Sequence, residues 1–231
     1  MDTIWQGFIE AIHLIFSGDP EIYEIVGRSL YVSVFSVVFS TVVGIPCGIL
    51  LGTTNFRGKG IIVRVIYTLM SLPPVIAGLV VFLILMRRGP LGSLQLNYTV
   101  TAMIIAQICL VTPIIIGLTY NLVKEKASVV NSLGFTLGAG KLKRMQLLIF
   151  EMRVGITTSI ISGFGRAISE VGAVMIVGGN IKGHTQVMTT YISQLKGMGN
   201  FERAVAVGII LLCISFVVNA LLYHFQERES R

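Results

Sequence analysis

The chain has 231 residues, of which 54% are hydrophobic and 13% charged, and 18 lysines and arginines against 11 acidic residues give a formal net charge of +7. A soluble domain carries about 25% charged residues, so this chain lacks the polar surface that a soluble globular enzyme needs. Its 25 glycines and six prolines follow no three-residue period, which excludes a collagen-like chain. The composition predicts an all-α integral membrane protein.

The N-terminal segment predicts an amphipathic helix that is too short to span a bilayer. Apolar residues recur at helical spacing from Ile4 to Phe16, while Asp2, Glu10 and Ser17 fall on the opposite face. The segment lacks the basic start of a signal peptide. The pattern fits an interfacial helix on the outer leaflet over residues 1–24, or equally an amphipathic helix packed on the bundle.

Five segments are long and apolar enough to cross a bilayer, which takes about 20 residues. They cover residues 29–52, 65–86, 98–120, 154–177 and 204–225. In the first segment, Gly44, Gly48 and Gly52 share one face and predict the close approach of another helix, from this chain or a second one. In the second segment, Pro73 and Pro74 predict a kinked or broken helix, serving either packing or a gating hinge.

Basic residues favour one orientation in the membrane. The segments after the first and third spans and the C-terminal tail hold eleven lysines and arginines, against six on the other side. The positive-inside rule therefore predicts an external N-terminus and a cytoplasmic C-terminus. On this topology, residues 25–226 form the transmembrane domain and residues 227–231 form a cytoplasmic tail.

Two charged residues lie near the middle of the fourth predicted span. Arg166 and Glu170 are four residues apart, so a helix places them on one face, where an ion pair can form. Either charge alone at mid-membrane costs about 2.5–3.5 kcal/mol, which favours pairing inside the bundle. The pair is either structural or part of a translocation path. Ser162 and Ser169 likewise either line such a path or bond back to their own helix carbonyls.

No catalytic or metal-binding pattern is recognisable in the chain. The three histidines are scattered, and the three cysteines lie inside apolar stretches without metal-ligand spacing. The run at residues 138–141 departs from a phosphate-binding loop, because Phe135 replaces its first glycine and Leu142 its hydroxyl residue. We expect no catalytic residue, no metal, no cofactor in this chain and no nucleic-acid partner.

Residues 124–147 form a polar segment that is too long for a simple connection. A helix-like stretch is followed by a glycine-rich break and then by a basic run at Lys141, Lys143 and Arg144. This pattern predicts a surface-parallel helix that docks on a cytosolic partner. The alternative is a plain loop whose basic residues contact anionic lipid.

Three stretches of the chain resemble the ABC-importer permeases of the molybdate, tungstate and sulfate group. Residues 136–144 are similar to the EAA loop of that family, although only its central Leu-Gly-Ala survives. Residues 71–78 with 88–92 are similar to the second-span region of the group. Residues 163–185 resemble its most recognisable signature, in a form closest to the tungstate-type permeases. The agreement in order and spacing extends over about residues 28–223.

The resemblance implies an ABC importer type I permease fold, with five transmembrane helices, an N-terminal interfacial helix and a cytoplasmic coupling helix. It implies a multi-pass protein of a prokaryotic plasma membrane that imports a tetrahedral oxyanion, tungstate before molybdate or sulfate. A gradient-driven anion carrier is the alternative from another class. The implied partners are a second copy of the chain, cytosolic ATPase subunits that bind ATP and magnesium, an extracytoplasmic oxyanion-binding protein, and lipid.

The expected site residues fall into three sets. Contact with the ATPase is expected from Ser132, Leu133, Gly134, Leu137, Gly138, Ala139, Lys141 and Arg144. The translocation path or structural ion pair is expected from Arg166, Glu170, Ser162 and Ser169. Contact with the binding protein is expected from the glycine-rich loop after the fourth span, at Asn180, Lys182 and Thr185.

Overall fold

The structure, a computed structural model, describes residues 2–230, and within this range the chain forms nine α-helices and one short 3-10 turn, Gly92–Leu94. The helices are α1 (Asp2–Phe16), α2 (Pro20–Thr53), α3 (Lys59–Met70), α4 (Pro74–Leu85), α5 (Val100–Thr136), α6 (Lys141–Ile168), α7 (Gly172–Gly178), α8 (Met188–Gly197) and α9 (Phe201–Ser230). The all-α prediction is confirmed. The described range leaves out Met1 and Arg231, so the predicted tail is described only through Ser230.

Four helices are long and apolar enough to cross a membrane: α2, α5, α6 and α9. The shorter α3 and α4 reach that length only as a pair, and the chain bends by 103° between them. Pro73 lies in this bend and Pro74 is the first residue of α4. A proline disfavours helical backbone in the residue before it, so the consecutive prolines end α3 and allow α4 to begin.

The fourth predicted span, residues 154–177, is not one continuous helix. Helix α6 ends at Ile168 and α7 begins at Gly172, so the expectation of an unbroken span is wrong. Backbone amides at the start of a helix lack intrahelical partners, and the Glu170 side chain supplies an acceptor for the amide of Ala173. This local cap stabilises a new helix start inside an apolar stretch.

The polar segment 124–147 contains no separate surface-parallel helix. Helix α5 runs without interruption to Thr136, and α6 begins at Lys141. Lys124, Glu125 and Lys126 are good helix formers, so the helix continues past the end of its apolar stretch. At 37 residues α5 is about 55 Å long, well over the roughly 30 Å hydrocarbon core of a bilayer. The predicted coupling region is therefore the tip of a helical hairpin.

Helix α2 packs on α5 of the same chain along a row of small residues. The buried members of this row are Ser29, Ser33, Ser36, Ser40, Gly44 and Gly48. Their spacing of three or four residues places them on one face, and their small size lets the helix backbones approach closely. Thr112 of α5 donates a hydrogen bond of 3.0 Å to the Ser40 hydroxyl across this contact. The partner of the glycine face is thus intramolecular.

Replacing Gly48 with leucine is expected to destabilise the protein by about 1–3 kcal/mol or more, because it overpacks the contact between α2 and α5. A Cβ atom on Gly48 would lie 2.6 Å from Thr119 Cβ and 2.9 Å from the Ile116 carbonyl oxygen. Gly27→Leu on the same helix is the matched control, since nothing lies within 4 Å of a Cβ there. Thermal unfolding in detergent measures both, and equal midpoints for the two variants would contradict the packing argument.

Helix α1 packs on α9 and also presents an apolar surface. Ala11 and Leu14 are buried in a cluster that includes Val207 and Ile210 of α9. The larger apolar residues of α1 are exposed on the single chain, among them Trp5 at 66% and Phe16 at 84%. The helix ends at Phe16 and α2 begins at Pro20, so residues 20–24 of the predicted N-terminal unit belong to α2.

The short helix α7 is positioned by α4 and α5. Ala173, Val174 and Val177 are fully buried in one apolar cluster with residues of these two helices. A Cβ atom on Gly78 of α4 would lie 2.6 Å from the Ala173 Cα, so the two backbones are in close contact. This packing places the break between α6 and α7 inside the bundle.

Candidate functional site

Glu170 lies in the break between α6 and α7, and its carboxylate has two protein partners. Oε2 is 3.0 Å from Nη1 of Arg166, and Oε1 accepts a 3.0 Å hydrogen bond from the backbone amide of Ala173. The Glu170 carbonyl accepts a 2.8 Å hydrogen bond from the Thr189 hydroxyl. The Glu170 side chain is only 2% exposed. This buried residue therefore links the end of α6, the start of α7 and the start of α8.

Arg166 is in the last turn of α6 and is less buried than its partner. Its side chain is 31% exposed on the single chain. A guanidinium that meets lipid at the middle of a membrane costs about 2.5–3.5 kcal/mol. The exposed part of Arg166 therefore requires a polar or protein surface opposite it.

The predicted serines of α6 bond back to their own helix. The Ser162 hydroxyl donates to the Thr158 carbonyl at 2.9 Å, and the Ser169 hydroxyl donates to the Gly165 carbonyl at 2.8 Å. Both side chains are exposed, as is Thr158. Thr158, Ser162, Arg166 and Ser169 recur every three or four residues and form one face, here termed the polar row of α6. The Thr158 hydroxyl accepts a 3.1 Å hydrogen bond from Gln226 of α9, whereas the hydroxyl oxygens of Ser162 and Ser169 keep their acceptor lone pairs available.

The turn between α5 and α6 is a Schellman motif built around Gly138. The Ala139 amide donates to the Gly134 carbonyl at 2.8 Å, and the Gly138 amide donates to the Phe135 carbonyl at 3.0 Å. Gly138 has a φ of +70°, in the left-handed region that glycine adopts without a steric penalty. No atom lies within 4 Å of a Cβ built on it. Gly138 is thus required for the backbone conformation of the turn and not for close packing.

Gly134 has a packing role in the same turn. A Cβ atom on it would lie 2.7 Å from Cγ of Arg144, so the arginine stem lies directly against the glycine. The Arg144 guanidinium lies 6.0 Å from the centre of the Phe135 ring. The Ser132 carbonyl accepts a 3.0 Å hydrogen bond from the Thr136 hydroxyl. The two contacts of Arg144 hold the end of α5 against the start of α6, and the bond from Thr136 closes the last turn of α5.

Large apolar side chains are exposed around this turn. They are Leu133 at 60%, Phe135 at 75%, Leu137 at 82% and Leu142 at 84%, and together they are termed the turn patch. Lys141 and Lys143 are exposed beside them, and Ala139 is half-buried. A clustered apolar surface with a basic rim at the tip of a hairpin is typical of a protein contact.

The loop after α7 uses two of its three predicted surface residues for internal contacts. Thr185 is 1% exposed, donates to the Gly178 carbonyl at 2.5 Å and accepts from the Ile181 amide at 3.0 Å. The expectation that Thr185 is a surface contact is wrong, because its hydroxyl closes the loop from within. Asn180 has a φ of +50° and donates to the Gln194 side chain at 2.9 Å.

Lys182 remains on the surface of that loop and forms an ion pair with α2. Its side chain is 75% exposed, and its Nζ lies 2.8 Å from a Glu21 carboxylate oxygen. The hydrogen bond to Glu21 and the charge of that carboxylate raise the pKa of Lys182. Arg28 donates to the backbone carbonyls of Gln186 and Gly183 at 2.8 and 2.9 Å. The loop is therefore held on the start of α2 at several points.

The neighbours of Glu170 on other helices were not predicted from the sequence. Gln107 of α5 donates to the Ala167 carbonyl at 3.0 Å, and Thr189 bonds to Glu170 itself. One signal for Gln107 was available, since it is an amide inside a long uncharged apolar stretch. No sequence signal pointed to Thr189. Its contact is with a residue 19 positions away, and only the packing of α8 brings the two together.

Comparison with known proteins identifies the family. A family model described as "Binding-protein-dependent transport system inner membrane component" matches residues 44–231. The chain belongs to this family. The membership expected from the resemblance of the motifs is confirmed, and the matched range contains both the turn patch and the polar row of α6.

Relatives within the family extend over the full length of the chain. It is 51% identical over 227 residues to the tungstate uptake system permease protein TupB of Peptoclostridium acidaminophilum, covering 98% of this chain and 100% of that one. It is 33% identical to TupB of Campylobacter jejuni, covering 98% and 95% of the two chains. It is 26% identical to the sulfate transport system permease protein CysW of Synechococcus elongatus, covering 98% and 81%.

The fold also matches that of a solved structure. A chain of the MetNI methionine ABC transporter in an inward-facing conformation superposes with a TM-score of 0.69 at 17% identity, covering 92% of this chain and 99% of that one. The similarity shows that the family member described here has an ABC importer permease fold. The turn between α5 and α6 and the break between α6 and α7 are therefore parts of an ABC importer permease fold.

Proposed function

We propose that this chain is the membrane-spanning permease subunit of an ATP-driven importer for tungstate. The observation that carries the proposal is the full-length similarity at 51% identity to a tungstate uptake permease. A second tungstate permease is 33% identical, whereas the sulfate permeases CysW of two organisms are 26% and 23% identical. Tungstate and sulfate are both tetrahedral dianions. Both groups of relatives therefore support an oxyanion as substrate, and the tungstate permeases alone support tungstate.

The turn patch supports docking of a cytosolic ATPase. Leu137 and Leu142 are the most exposed of its four apolar side chains, and Lys141 and Arg144 flank them. The run at residues 138–141 lacks the glycine and hydroxyl positions of a phosphate-binding loop, so ATP and magnesium are assigned to the partner. The rigid hairpin of α5 and α6 would transmit movement of the ATPase to the helix break.

The polar row of α6 supports a path formed with a second copy of the chain. Its hydroxyls and the partly exposed Arg166 lie on the surface of the single chain, where lipid would be an unfavourable neighbour. A facing copy would cover this row with the same residues and create a polar lumen. Glu170 neutralises Arg166 from one side, so the arginine would hold a dianion only transiently.

The membrane arrangement follows from the distribution of charge and apolar surface. We assign five spans, with the bent pair α3 and α4 as one, an external N-terminus and a cytoplasmic C-terminus. The exposed apolar face of α1 then lies against lipid at the outer surface. The external loop around Asn180 and Lys182 would face the oxyanion-binding protein, with Lys182 as the more exposed contact.

Uptake of tungsten should fall most when the gene for this chain is deleted and should return when the gene is restored. Elemental analysis of cells supplied with trace, equimolar tungstate, molybdate and sulfate measures this directly. Depletion of ATP should abolish the restored uptake. A deficit mainly in molybdenum or sulfur would overturn the choice of substrate, and uptake that follows an ion gradient without ATP would overturn the importer.

A further inference from the structure

A small polar cavity of about 10 Å³ lies beside Glu170, where four parts of the fold meet. Ser29 and Ser33 of α2, Gln107 of α5, Glu170 of the helix break and Thr189 of α8 contribute its polar lining. A cavity of roughly this volume accommodates one water molecule.

Gln107 lacks one hydrogen-bond partner at this cavity. The residue is 3% exposed, and its Nε2 donates to the Ala167 carbonyl at 3.0 Å. Its Oε1 is buried, and no protein donor lies within hydrogen-bond distance of it. A buried amide oxygen without a donor is unfavourable, because it has given up its hydrogen bonds to solvent.

Two of the three neighbouring hydroxyl hydrogens are committed elsewhere. Ser29 donates to the Ile25 carbonyl at 2.8 Å and accepts from the Met188 amide at 2.8 Å. Thr189 donates to the Glu170 carbonyl. Ser33, the remaining hydroxyl of the lining, does not donate to Gln107 Oε1 either, because that oxygen has no hydrogen-bond partner in the described residues. A donor for it would therefore have to come from a molecule that is not part of the chain.

We propose that one water molecule is bound in this cavity and donates a hydrogen bond to Gln107 Oε1. Glu170 is already paired with Arg166, so the site carries no uncompensated charge that would favour a cation. Gln107 is then a positioning residue: it holds the last turn of α6 through Ala167 and joins α5 to the break through the water. This site is independent of the substrate and stands whether or not the chain carries tungstate.

Radiolytic hydroxyl-radical labelling of the purified full-length protein in detergent, read by peptide mass spectrometry, tests the proposal. A bound water generates radicals next to itself, so the buried lining residues Val32 and Val187 should be labelled several-fold more than Val111 and Val207. Val207 and Val32 are each 1% exposed, so they form the matched pair, while Val111 at 0% and Val187 at 5% extend the comparison. Val111 and Val207 do not line the cavity. Labelling of the lining valines at the level of the controls would overturn the proposal.

Gln107→Met tests the role of the amide oxygen. Methionine has a similar length without the acceptor, so the labelling of Val187 should fall to the level of the controls while the variant remains folded. Size-exclusion chromatography and thermal unfolding establish the fold, and the wild-type comparison is informative even if this variant is unstable. Unchanged labelling of Val187 in folded Gln107→Met would overturn the assignment of the water to Gln107.

Discussion

Arg166→Gln is expected to abolish uptake and to destabilise the protein by about 3–5 kcal/mol, since removal of one partner of a buried ion pair leaves the other charge uncompensated. Glu170 is 2% exposed, and Arg166 is the only cationic side chain in the described residues within 4 Å of its carboxylate. The loss of that charge affects both the fold of the break and the polar row of α6. Thermal unfolding in detergent and tungsten uptake in cells measure the two effects separately.

Glu170→Gln should be the milder single change. The side chain of glutamine keeps an oxygen for the Ala173 amide, and the remaining Arg166 is 31% exposed and can be solvated. Glu170→Ala should be worse than Glu170→Gln, because it also removes the cap of α7. The difference between these two variants isolates the contribution of the cap from that of the charge.

The double variant Arg166→Gln with Glu170→Gln should recover much of the stability lost in Arg166→Gln alone, because it leaves no buried charge. Helical spacing alone would predict that exchanging the two charges also preserves the pair. The structure predicts otherwise, since an arginine at position 170 has no acceptor for the Ala173 amide. Additive losses in the cycle of single and double variants would rule out the coupling of the two residues.

Leu137→Asp and Leu142→Asp should each abolish co-purification of the ATPase and, with it, uptake. Both side chains are more than four-fifths exposed, so the substitutions should leave the thermal unfolding midpoint nearly unchanged. A charge in the middle of an apolar contact remains unpaired when the partner covers it, which is strongly unfavourable. Affinity purification with a tag on the permease and quantification of the ATPase provide the measurement.

Met198→Asp is the matched control for the turn patch. Met198 is 68% exposed but lies in the connection between α8 and α9, away from the turn between α5 and α6. This variant should retain wild-type amounts of ATPase. If the two leucine variants also retained the ATPase, the docking surface would have to lie elsewhere on the chain.

Contacts between residues close in sequence were the most accessible to prediction. The prolines at positions 73 and 74 restrict the backbone around them, so the interruption after α3 needed no information from other helices. Arg166 and Glu170 could be placed together because four residues span one helical turn. The same contact, however, forms across a helix end, so the spacing could not distinguish an unbroken span from the break at Ser169.

The outcome for the polar segment 124–147 shows a different limit of local patterns. Its charge and its glycines indicated correctly that it leaves the apolar part of the bundle. Whether it formed a separate helix depended on whether α5 continued past Val123, and a helix-forming sequence permits either arrangement. Helix α5 therefore includes the polar helical turns after Val123 and ends at the Schellman motif around Gly138.

Composition and periodicity by themselves determined that this is an all-helical membrane protein with several apolar spans, a proline-broken segment and a buried ion pair. The tertiary structure decided which surfaces meet: the glycine face of α2 packs on α5, Thr185 turns into its loop, and Gln107 reaches the last turn of α6. Hydropathy records how favourably a residue leaves water. It contains no information about which distant residue then becomes its neighbour, because that choice depends on the packing of the whole bundle.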